Sequence, residues 1–412
     1  MNYEKYFDWA ATSPCDEEIL KEALQTSIQF FANPSAVHSE GAKARNVYEN
    51  ARKLCAKVLE VPENTVFFTS GGTESDHIPL LAQLNRSADS SGARGQIIIS
   101  GIEHPALRQQ CQRLENLGFD VVTVNPDKNG FIKIEDIISK ITNETVFITV
   151  MAVNNETGCI QNIEELSKAI IDSTKGKRKP HFHVDCVQAA GKIPLSLNIE
   201  GLDSAALSAH KICGPRGIGI LYLKKEIKPF LTGGGQEKNI RSGTENLFGA
   251  IAFSKVLEKY FIKKSDFELF EKDSNLLKEK NICSINHFTE QIKNTKEFIS
   301  KLKTISGCKI IPTLREDLSE GVQKKFSPYV LQVSFEGIPG NVMVRALDEK
   351  GFSISTGSAC SAKKQSRPIL QAMNLPRDLQ DTAVRFSFGP LTQKENIDSL
   401  FNAIKEITDA FN

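Results

Sequence analysis

The 412-residue chain lacks a long hydrophobic run and carries almost no net charge. No apolar stretch approaches the roughly 20 residues that a membrane helix needs. The formal net charge of +1 gives no electrostatic reason to expect nucleic acid or a membrane as a partner. The first 18 residues have neither the apolar core of a secretory signal nor the Arg-rich, acid-free character of a transit peptide. These absences predict a cytoplasmic protein.

The nine cysteines are scattered, and no two form a C-x-x-C pair. This spacing argues against a disulfide framework and against a zinc or other metal site, so most of these thiols are expected to be small buried apolar groups. Internal repeats and low-complexity tracts are absent as well. Hydrophobic residues make up 40% and charged residues 25%, as in ordinary globular proteins. A chain of this length can form one large core and a smaller satellite domain.

Six short apolar runs alternate with helical stretches between about residues 50 and 260. They are VFFT (66–69), IIIS (97–100), VVTV (121–124), VFITVMAV (146–153), HFHV (181–184) and IGILYL (218–223). Apolar strands separated by helices predict an α/β fold, with a mainly parallel sheet covered by helices on both faces. Ligands of such sheets bind beyond the carboxyl ends of the strands.

The C-terminal part of the chain predicts a second, smaller α/β unit. Residues 262–327 are rich in Lys, Glu, Asn and Ser and predict a long surface helix and a polar connection between domains. Further strands are predicted at LQVSF (331–335), FSIS (352–355) and AVRFSF (383–388), and helices over 341–349, near 368–374 and up to 411. We therefore expect a large domain over residues 16–261, with residues 1–15 and 262–412 forming the small domain.

Residues suited to binding a planar, phosphorylated ligand follow several predicted strands. SGGTES (70–75) combines backbone amides with a hydroxyl, which suits a phosphate, although an ordinary glycine turn has the same composition. His104 follows the second strand, where its ring could stack on a cofactor or be structural. Asn155 follows the fourth. Asp185, followed three residues on by Gln188, comes after the fifth, and its carboxylate could pair with a ring nitrogen or cap a helix.

One lysine stands apart from the solvated lysines of the chain. Lys211 lies in LSAHKICGPRGIGILYL (207–223), in a loop of small residues between two apolar segments, with Ser208 and His210 just before it. Desolvation lowers the pKa of an amine, and Schiff-base chemistry requires the uncharged amine. Taken alone, the segment fits a surface lysine in a glycine loop equally well.

One cysteine, Cys360, also stands apart by its surroundings. The small residues STGSA (355–359) precede it, and the cations Lys363, Lys364 and Arg367 follow it. A segment with so few packing side chains is expected to be mobile and exposed. Nearby cations lower a thiol pKa from its usual value of about 8.5 and favour the thiolate. The pattern predicts a reactive thiol at Cys360.

Nine motifs resemble those of the cysteine desulfurases, which are fold-type-I pyridoxal-phosphate enzymes of the class V aminotransferase-like family. In the family's order, and over nearly the whole chain, they are NPSAVH (33–38), TSGGTES (69–75), EHPA (103–106), NNETG (154–158), HVDCVQAAGKIP (183–194), SAHKICGPRGIG (208–219), GGGQEKNIRSGTEN (233–246), STGSAC (355–360) and VRFSFG (384–389). The resemblance implies an aspartate-aminotransferase-like fold, with a mainly parallel, seven-stranded type of sheet and a small C-terminal α/β domain. It also implies pyridoxal 5'-phosphate as the cofactor.

The implied reaction removes sulfur from L-cysteine, gives L-alanine and leaves a persulfide on Cys360. The sulfur would pass to an acceptor or iron–sulfur scaffold protein, for iron–sulfur cluster assembly or for thiolation of tRNA or a cofactor. Lys211 would hold the cofactor as a Schiff base, His104 would stack on its ring, and Asp185 would pair with the ring nitrogen. Gln188 and Asn155 would lie near the ring hydroxyl. The implied phosphate ligands are Gly72, Thr73, Ser208 and His210.

Three further roles follow from the resemblance. Thr244 would reach the phosphate of the neighbouring subunit, which implies a homodimer with shared active sites. Arg385 would bind the substrate carboxylate, because a planar guanidinium matches a carboxylate with two hydrogen bonds. The alternative for Arg385 is an ion pair with an acid across the domain boundary. Asn33 and Asn155 would line the same substrate pocket as Arg385.

The chain departs from the family pattern just after Cys360. It continues with SAKKQSRPIL (361–370), where family members commonly have a Ser-rich stretch and a Leu-Glu-Pro-Ser motif, so turnover and the identity of the acceptor stay open. A selenocysteine lyase of the same fold is an alternative. An aminotransferase or β-elimination lyase would not need Cys360. A non-catalytic scaffold would tolerate loss of Lys211, Asp185 and Arg385, yet all three are present.

Overall fold

A computed structural model of the chain describes residues 3–273, 283–357 and 367–411. The helices in these ranges are α1 (Glu17–Gln29), α2 (Ser39–Leu59), α3 (Gly72–Leu81), α4 (Pro105–Glu115), α5 (Ile134–Ile138), α6 (Ile163–Ser173), α7 (Leu247–Tyr260), α8 (Lys264–Lys272), α9 (Cys283–Leu302), α10 (Glu320–Gln323), α11 (Gly340–Glu349), α12 (Pro368–Ala372), α13 (Arg377–Thr382) and α14 (Lys394–Phe411). The strands are β1 (Val66–Thr69), β2 (Gly95–Ser100), β3 (Phe119–Val124), β4 (Thr145–Thr149), β5 (His181–Asp185), β6 (Ser204–Ser208), β7 (Gly219–Leu223), β8 (Cys308–Ile311), β9 (Val330–Phe335) and β10 (Ala383–Ser387).

The central sheet has seven strands in the order β1-β7-β6-β5-β4-β2-β3. All neighbouring strands are parallel except β7, which runs antiparallel to both β1 and β6. The order of the inner strands puts the carboxyl ends of β4, β5 and β6 side by side. The structure confirms the predicted α/β fold with a mainly parallel seven-stranded sheet.

Apolar side chains on both faces of this sheet account for its burial. Strands β4, β6 and β7 are buried at every position, as expected for strands covered on two sides. One core packs α2 and α7 against the sheet, and a second packs α4 against β2 and β3. Strand β6, SAALS, was not predicted, because Ala and Ser have little preference for strands and only its buried place between β5 and β7 determines its conformation.

A separate three-stranded sheet, in the order β10-β9-β8, is antiparallel throughout. Its own core includes Phe298, Leu331, Val333, Val384 and Phe386. The predicted strand at 352–355 forms only isolated bridges, Tyr6 with Ser353 and Ser355 with Arg385. The extended N-terminal segment thus pairs with residues of the C-terminal region.

The long helix predicted within residues 262–327 is confirmed as α9, but the prediction of a surface helix followed by a polar connection is wrong in two respects. Helix α9 buries Ile285, Phe288, Phe298, Ile299 and Leu302 in the core of the small sheet. The lysines and glutamates on its other face hide this amphipathic pattern when the composition alone is considered. The same stretch also contains strand β8.

No helix within the described residues is long and apolar enough to cross a membrane.

Candidate active site

A cavity of about 260 Å³ lies at the carboxyl ends of β5 and β6 and the start of α3. Its wall consists of Ala10, Ala11, Gly72, Thr73, Asp76, His104, Met151, Asn155, Asp185, Val187, Gln188, Ser208, His210, Lys211 and Arg385. These residues come from strand ends, from helix starts and from the N-terminal segment. Residues that were singled out from separate motifs therefore meet in one place.

Lys211 enters this cavity from the short turn after β6. The strand ends at Ser208, and the turn over Ala209–Lys211 directs the lysine back towards the N-terminal segment. Its Nζ donates hydrogen bonds to the backbone carbonyls of Ala10 at 2.6 Å and Ala11 at 2.7 Å. The amine is thus held at the cavity wall by main-chain oxygens, which cannot move independently of the N-terminal segment.

His104 and Asp185 are both held by backbone amides, and both have shifted pKa values. His104 caps the N-terminus of α4, and its Nδ1 accepts a hydrogen bond from the amide of Ala106 at 3.2 Å. Burial, and then the charge of Lys211, lower the pKa of His104 to about 4, so its imidazole is neutral at pH 7. Asp185 ends β5, and its Oδ1 accepts from the amide of Val187 at 2.8 Å.

The carboxyl of Asp185 has little contact with water. Burial, reinforced by the nearby carboxylate of Asp76, raises the pKa of Asp185 to about 8. A protonated or strongly paired carboxyl is therefore favoured at this position. A cationic partner entering the cavity would remove the cost of ionising it.

The start of α3 provides the features of an anion site. Gly72 and Thr73 open this ten-residue helix, whose first amides have no partner within the helix. Ser208 faces the same space, and its buried Oγ has no hydrogen-bond partner among the described residues. A Cβ at Gly72 would lie 2.6 Å from Cγ2 of Val187, so a side chain there would crowd the wall. A buried hydroxyl beside free helix amides fits a phosphate group.

Arg385 lies on β10 and is almost completely buried. Its Nη1 donates to the backbone carbonyl of Asn155 at 2.9 Å, and its Nη2 donates to Oδ1 of Asp8 at 2.6 Å. Arg385 is therefore paired with an acid, but Asp8 and Arg385 both belong to the predicted small domain, so this pair does not cross the predicted domain boundary. The guanidinium nevertheless lines the cavity, and its buried Nε has no hydrogen-bond partner within the described chain.

Two of the predicted site residues lie away from this cavity. Asn33 is exposed, and its Oδ1 accepts a hydrogen bond from the amide of Ser35 at 2.8 Å. Thr244 is exposed in the loop before α7. Neither contributes to the wall of the cavity within this subunit. Cys360, Lys363 and Lys364 lie outside the described residues.

Asp76 was missed by the sequence analysis although it lines the cavity. It is buried on α3, with its Oδ1 3.1 Å from Nε2 of His183, and burial raises its pKa well above the ordinary value. Its spacing from Gly72 could have found it, because residues four apart share one face of a helix. Across the described ranges, no group of three or more His, Cys, Asp or Glu side chains is placed to hold a metal ion.

Comparison with known proteins identifies the class to which this fold and site belong. Residues 5–400 match the profile of the class-V aminotransferases. The chain therefore belongs to the class-V aminotransferase family, whose members depend on pyridoxal phosphate.

Within that family, the proteins similar to this chain include enzymes named cysteine desulfurase. The chain is 32% identical over 413 residues to cysteine desulfurase IscS of Dictyoglomus turgidum, covering 99% of this chain and 95% of that protein. It is 35% identical over 412 residues to a NifS/IcsS protein homolog of Lactobacillus delbrueckii subsp. bulgaricus, covering 98% and 97% of the two chains. A solved NifS-like protein superposes with a TM-score of 0.81 at 30% identity, covering 98% of this chain and 99% of the other.

Proposed function

We propose that this protein is a cysteine desulfurase, which takes the sulfur of L-cysteine, releases L-alanine and carries the sulfur on Cys360. The main support is the meeting of Lys211, Asp185, His104 and Arg385 in one cavity beside a helix N-terminus. This arrangement occurs in a chain that is similar over nearly its whole length to enzymes named cysteine desulfurase.

Pyridoxal 5'-phosphate is the cofactor that the cavity would hold. Its phosphate would lie against the first amides of α3, with Thr73, Ser208 and His210 contributing polar groups. Its aldehyde would bond covalently to Nζ of Lys211. When bound, this cofactor withdraws electrons from the α-carbon of an amino acid, which makes the α-proton acidic and weakens bonds at the β-carbon.

The chain's own residues would orient the substrate and move its protons. Arg385 would bind the substrate carboxylate, exchanging its contact with Asp8 for one with the substrate. Nζ of Lys211 would take the α-proton of the substrate. Asp185 would keep a proton on the ring nitrogen, and neutral His104 would cover the ring face and exclude water. Gln188 and Asn155 complete the polar wall.

Sulfur transfer would be the role of Cys360. Its thiolate sulfur would form a bond to the substrate sulfur while the bond between that sulfur and the β-carbon breaks. The electron pair of the broken bond would stay with the carbon fragment, which becomes alanine after taking up protons. The enzyme would keep a persulfide for an acceptor or iron–sulfur scaffold protein, in cluster assembly or in thiolation of tRNA or a cofactor.

The active species would be a homodimer with shared sites, located in the cytoplasm. Thr244 and Asn33 are exposed and lie outside the cavity of their own subunit. For Thr244 this suits a residue that serves the partner's phosphate, whereas Asn33 does not line the cavity beside Arg385 in its own subunit. Large apolar side chains near these segments are also exposed, with Phe31 at 78% and Leu231 at 70% of their full area. Exposed apolar side chains mark a protein interface when they form a contiguous patch. The proposed division is a large domain over 16–261 and a small domain over 1–15 and 262–412, and the core of the three-stranded sheet, which contains Phe7, supports assigning the N-terminal segment to the small domain.

Product analysis tests the proposal. Purified protein incubated with L-cysteine and a thiol reductant should form alanine and sulfide in equal amounts. Pyruvate and ammonia would instead identify a β-elimination lyase, and a strong preference for selenocysteine would identify the selenium enzyme. A keto acid would identify an aminotransferase, and an absence of all these products would leave a non-catalytic relative.

A further inference from the structure

A buried lysine that the proposed mechanism does not use lies next to the cavity. Lys192 is only 4% exposed, and lysines are almost never buried to this extent without a specific partner. Its Nζ donates a hydrogen bond to Oε1 of Gln188 at 2.5 Å. Lys192 is not part of the cavity wall, and it contacts the wall residue Gln188 through this hydrogen bond.

Gln188 links Lys192 to the backbone oxygen that also accepts a hydrogen bond from Lys211. The Nε2 of Gln188 donates to the carbonyl oxygen of Ala10 at 2.9 Å, and the same oxygen accepts from Nζ of Lys211 at 2.6 Å. A glutamine amide has one accepting end and one donating end. If it turned over, its oxygen would face the carbonyl oxygen of Ala10, where two acceptors would meet, and Lys192 would lose the oxygen to which its N–H donates.

The charges around Lys192 favour the uncharged amine. Burial lowers the pKa of Lys192 well below the ordinary value, and the positive charges of Lys211 and Arg385 lower it further. An uncharged amine still donates to Oε1 of Gln188, but it adds no positive charge beside Lys211. This lysine therefore suits a role in fixing geometry rather than in balancing charge.

We infer that Lys192 is a positioning residue, which fixes the orientation of the Gln188 amide and thereby the Ala10 carbonyl against Lys211. The inference rests on the proposed function, because Gln188 and Lys211 belong to the proposed cofactor site. It goes further in giving the site a support residue that never touches the cofactor.

A double-mutant cycle tests whether Lys192 acts through Gln188. The apoproteins of the wild type, Lys192→Met, Gln188→Leu and the double variant are titrated with pyridoxal phosphate and followed by absorbance. Lys192→Met should weaken cofactor binding about five- to tenfold, as expected for loss of one hydrogen bond in the site. In the Gln188→Leu background, the same change should produce no further weakening.

The experiment has a control variant at another lysine, and two of its possible results would overturn the inference about Lys192. Lys179→Met removes a lysine whose Nζ bonds to the carbonyls of Pro180 and Gly201 and to the carboxylate of Asp203, all outside the cavity, and it should leave cofactor affinity unchanged. Equal weakening by Lys192→Met in both Gln188 backgrounds, or no weakening at all, would overturn the inference while the proposed function stands. If the wild-type apoprotein takes up no cofactor, the proposed function fails and the inference fails with it.

A measurement on the wild-type apoprotein covers the case in which Lys192→Met does not fold. With glutamine nitrogens labelled, the side-chain amide of Gln188 should give a single conformation by NMR, with its protons protected from exchange with water. Exchange at the rate of an exposed amide would mean that the contacts to Ala10 and Lys192 are not maintained, and the inference would be wrong.

Discussion

Replacing Asp185 with asparagine should stabilise the apoprotein while it abolishes function. In the folded apoprotein burial raises the pKa of Asp185 to about 8, whereas the unfolded chain ionises near the ordinary value of 3.8. The folded state therefore binds more protons between these two pH values, and stability due to this carboxyl is lost as the pH rises from about 4 to 8. Asparagine does not ionise, so the Asp185→Asn variant does not lose this folding stability as the pH rises.

The size of the effect follows from the same values. At pH 7 the unfolded chain gains up to about 4 kcal/mol from ionising this carboxyl, at about 1.4 kcal/mol for each pH unit above 3.8. The side-chain oxygen that remains after Asp185→Asn can still accept from the Val187 amide, so we expect a net gain on the order of 1–4 kcal/mol. With an unfolding entropy of about 2 cal/mol/K per residue, the melting temperature should rise by roughly 1–5 °C. The gain should vanish near pH 4.

The matched control is Asp16→Asn, which should have the opposite sign. Burial acts to raise the pKa of Asp16, but hydrogen bonds from Lys259 and Tyr260, both at 2.7 Å, outweigh it and lower the pKa. Asp16→Asn should therefore lower the melting temperature at pH 7. Scanning calorimetry of the apoproteins from pH 4 to 8 makes the comparison. If Asp185→Asn also destabilises at pH 7, the carboxyl is ionised in the apoprotein and the reasoning is refuted.

Four further outcomes are expected. Cys360→Ser should keep the yellow colour of the cofactor-bound protein yet release almost no sulfide from cysteine, and full sulfide release would show that another thiol or direct elimination is responsible. Lys211→Ala should lose both turnover and the absorbance of the internal Schiff base, and an unchanged spectrum would move the cofactor attachment elsewhere. Arg385→Lys should raise KM for cysteine about 10- to 100-fold with little change in melting temperature; a large loss of stability with normal KM would make the Asp8 pair the arginine's main role. The ring of His104 should show no NMR titration in the apoprotein between pH 5 and 8, because burial and Lys211 lower its pKa to about 4, and a midpoint near 6.5 would contradict this burial.

The parts of the fold that could be predicted are those in which local pattern and tertiary burial agree. VFFT and HFHV are apolar runs that become β1 and β5, because such side chains favour both strand geometry and a covered sheet. SAALS could not be predicted, since its conformation depends on its neighbours β5 and β7. The buried face of helix α9 could not be predicted from composition either, because the charged residues of its other face dominate that stretch.

Some residues of the site could likewise be predicted from the sequence, and others could not. Residues that follow predicted strands, such as His104 and Asp185, could be placed together because the carboxyl ends of parallel strands lie at one edge of the sheet. Lys211 follows β6, which was not predicted, so its place in the site was expected only from the resemblance. The pair between Asp8 and Arg385 joins residues 377 positions apart, and no local pattern indicates it. Lys192 is a buried ionisable group whose ordinary tendency is exposure, so only the folded structure shows it beside the cavity.

The central claim, that sulfur from cysteine is carried by Cys360, can be tested in a single turnover. Cofactor-loaded protein is mixed with one equivalent of L-cysteine without reductant, then digested and examined by mass spectrometry alongside an assay for alanine. The account predicts one alanine per active site and a Cys360 peptide heavier by the mass of one sulfur atom, with that added mass removed by a thiol. Alanine without added mass on Cys360, or pyruvate in place of alanine, would contradict it.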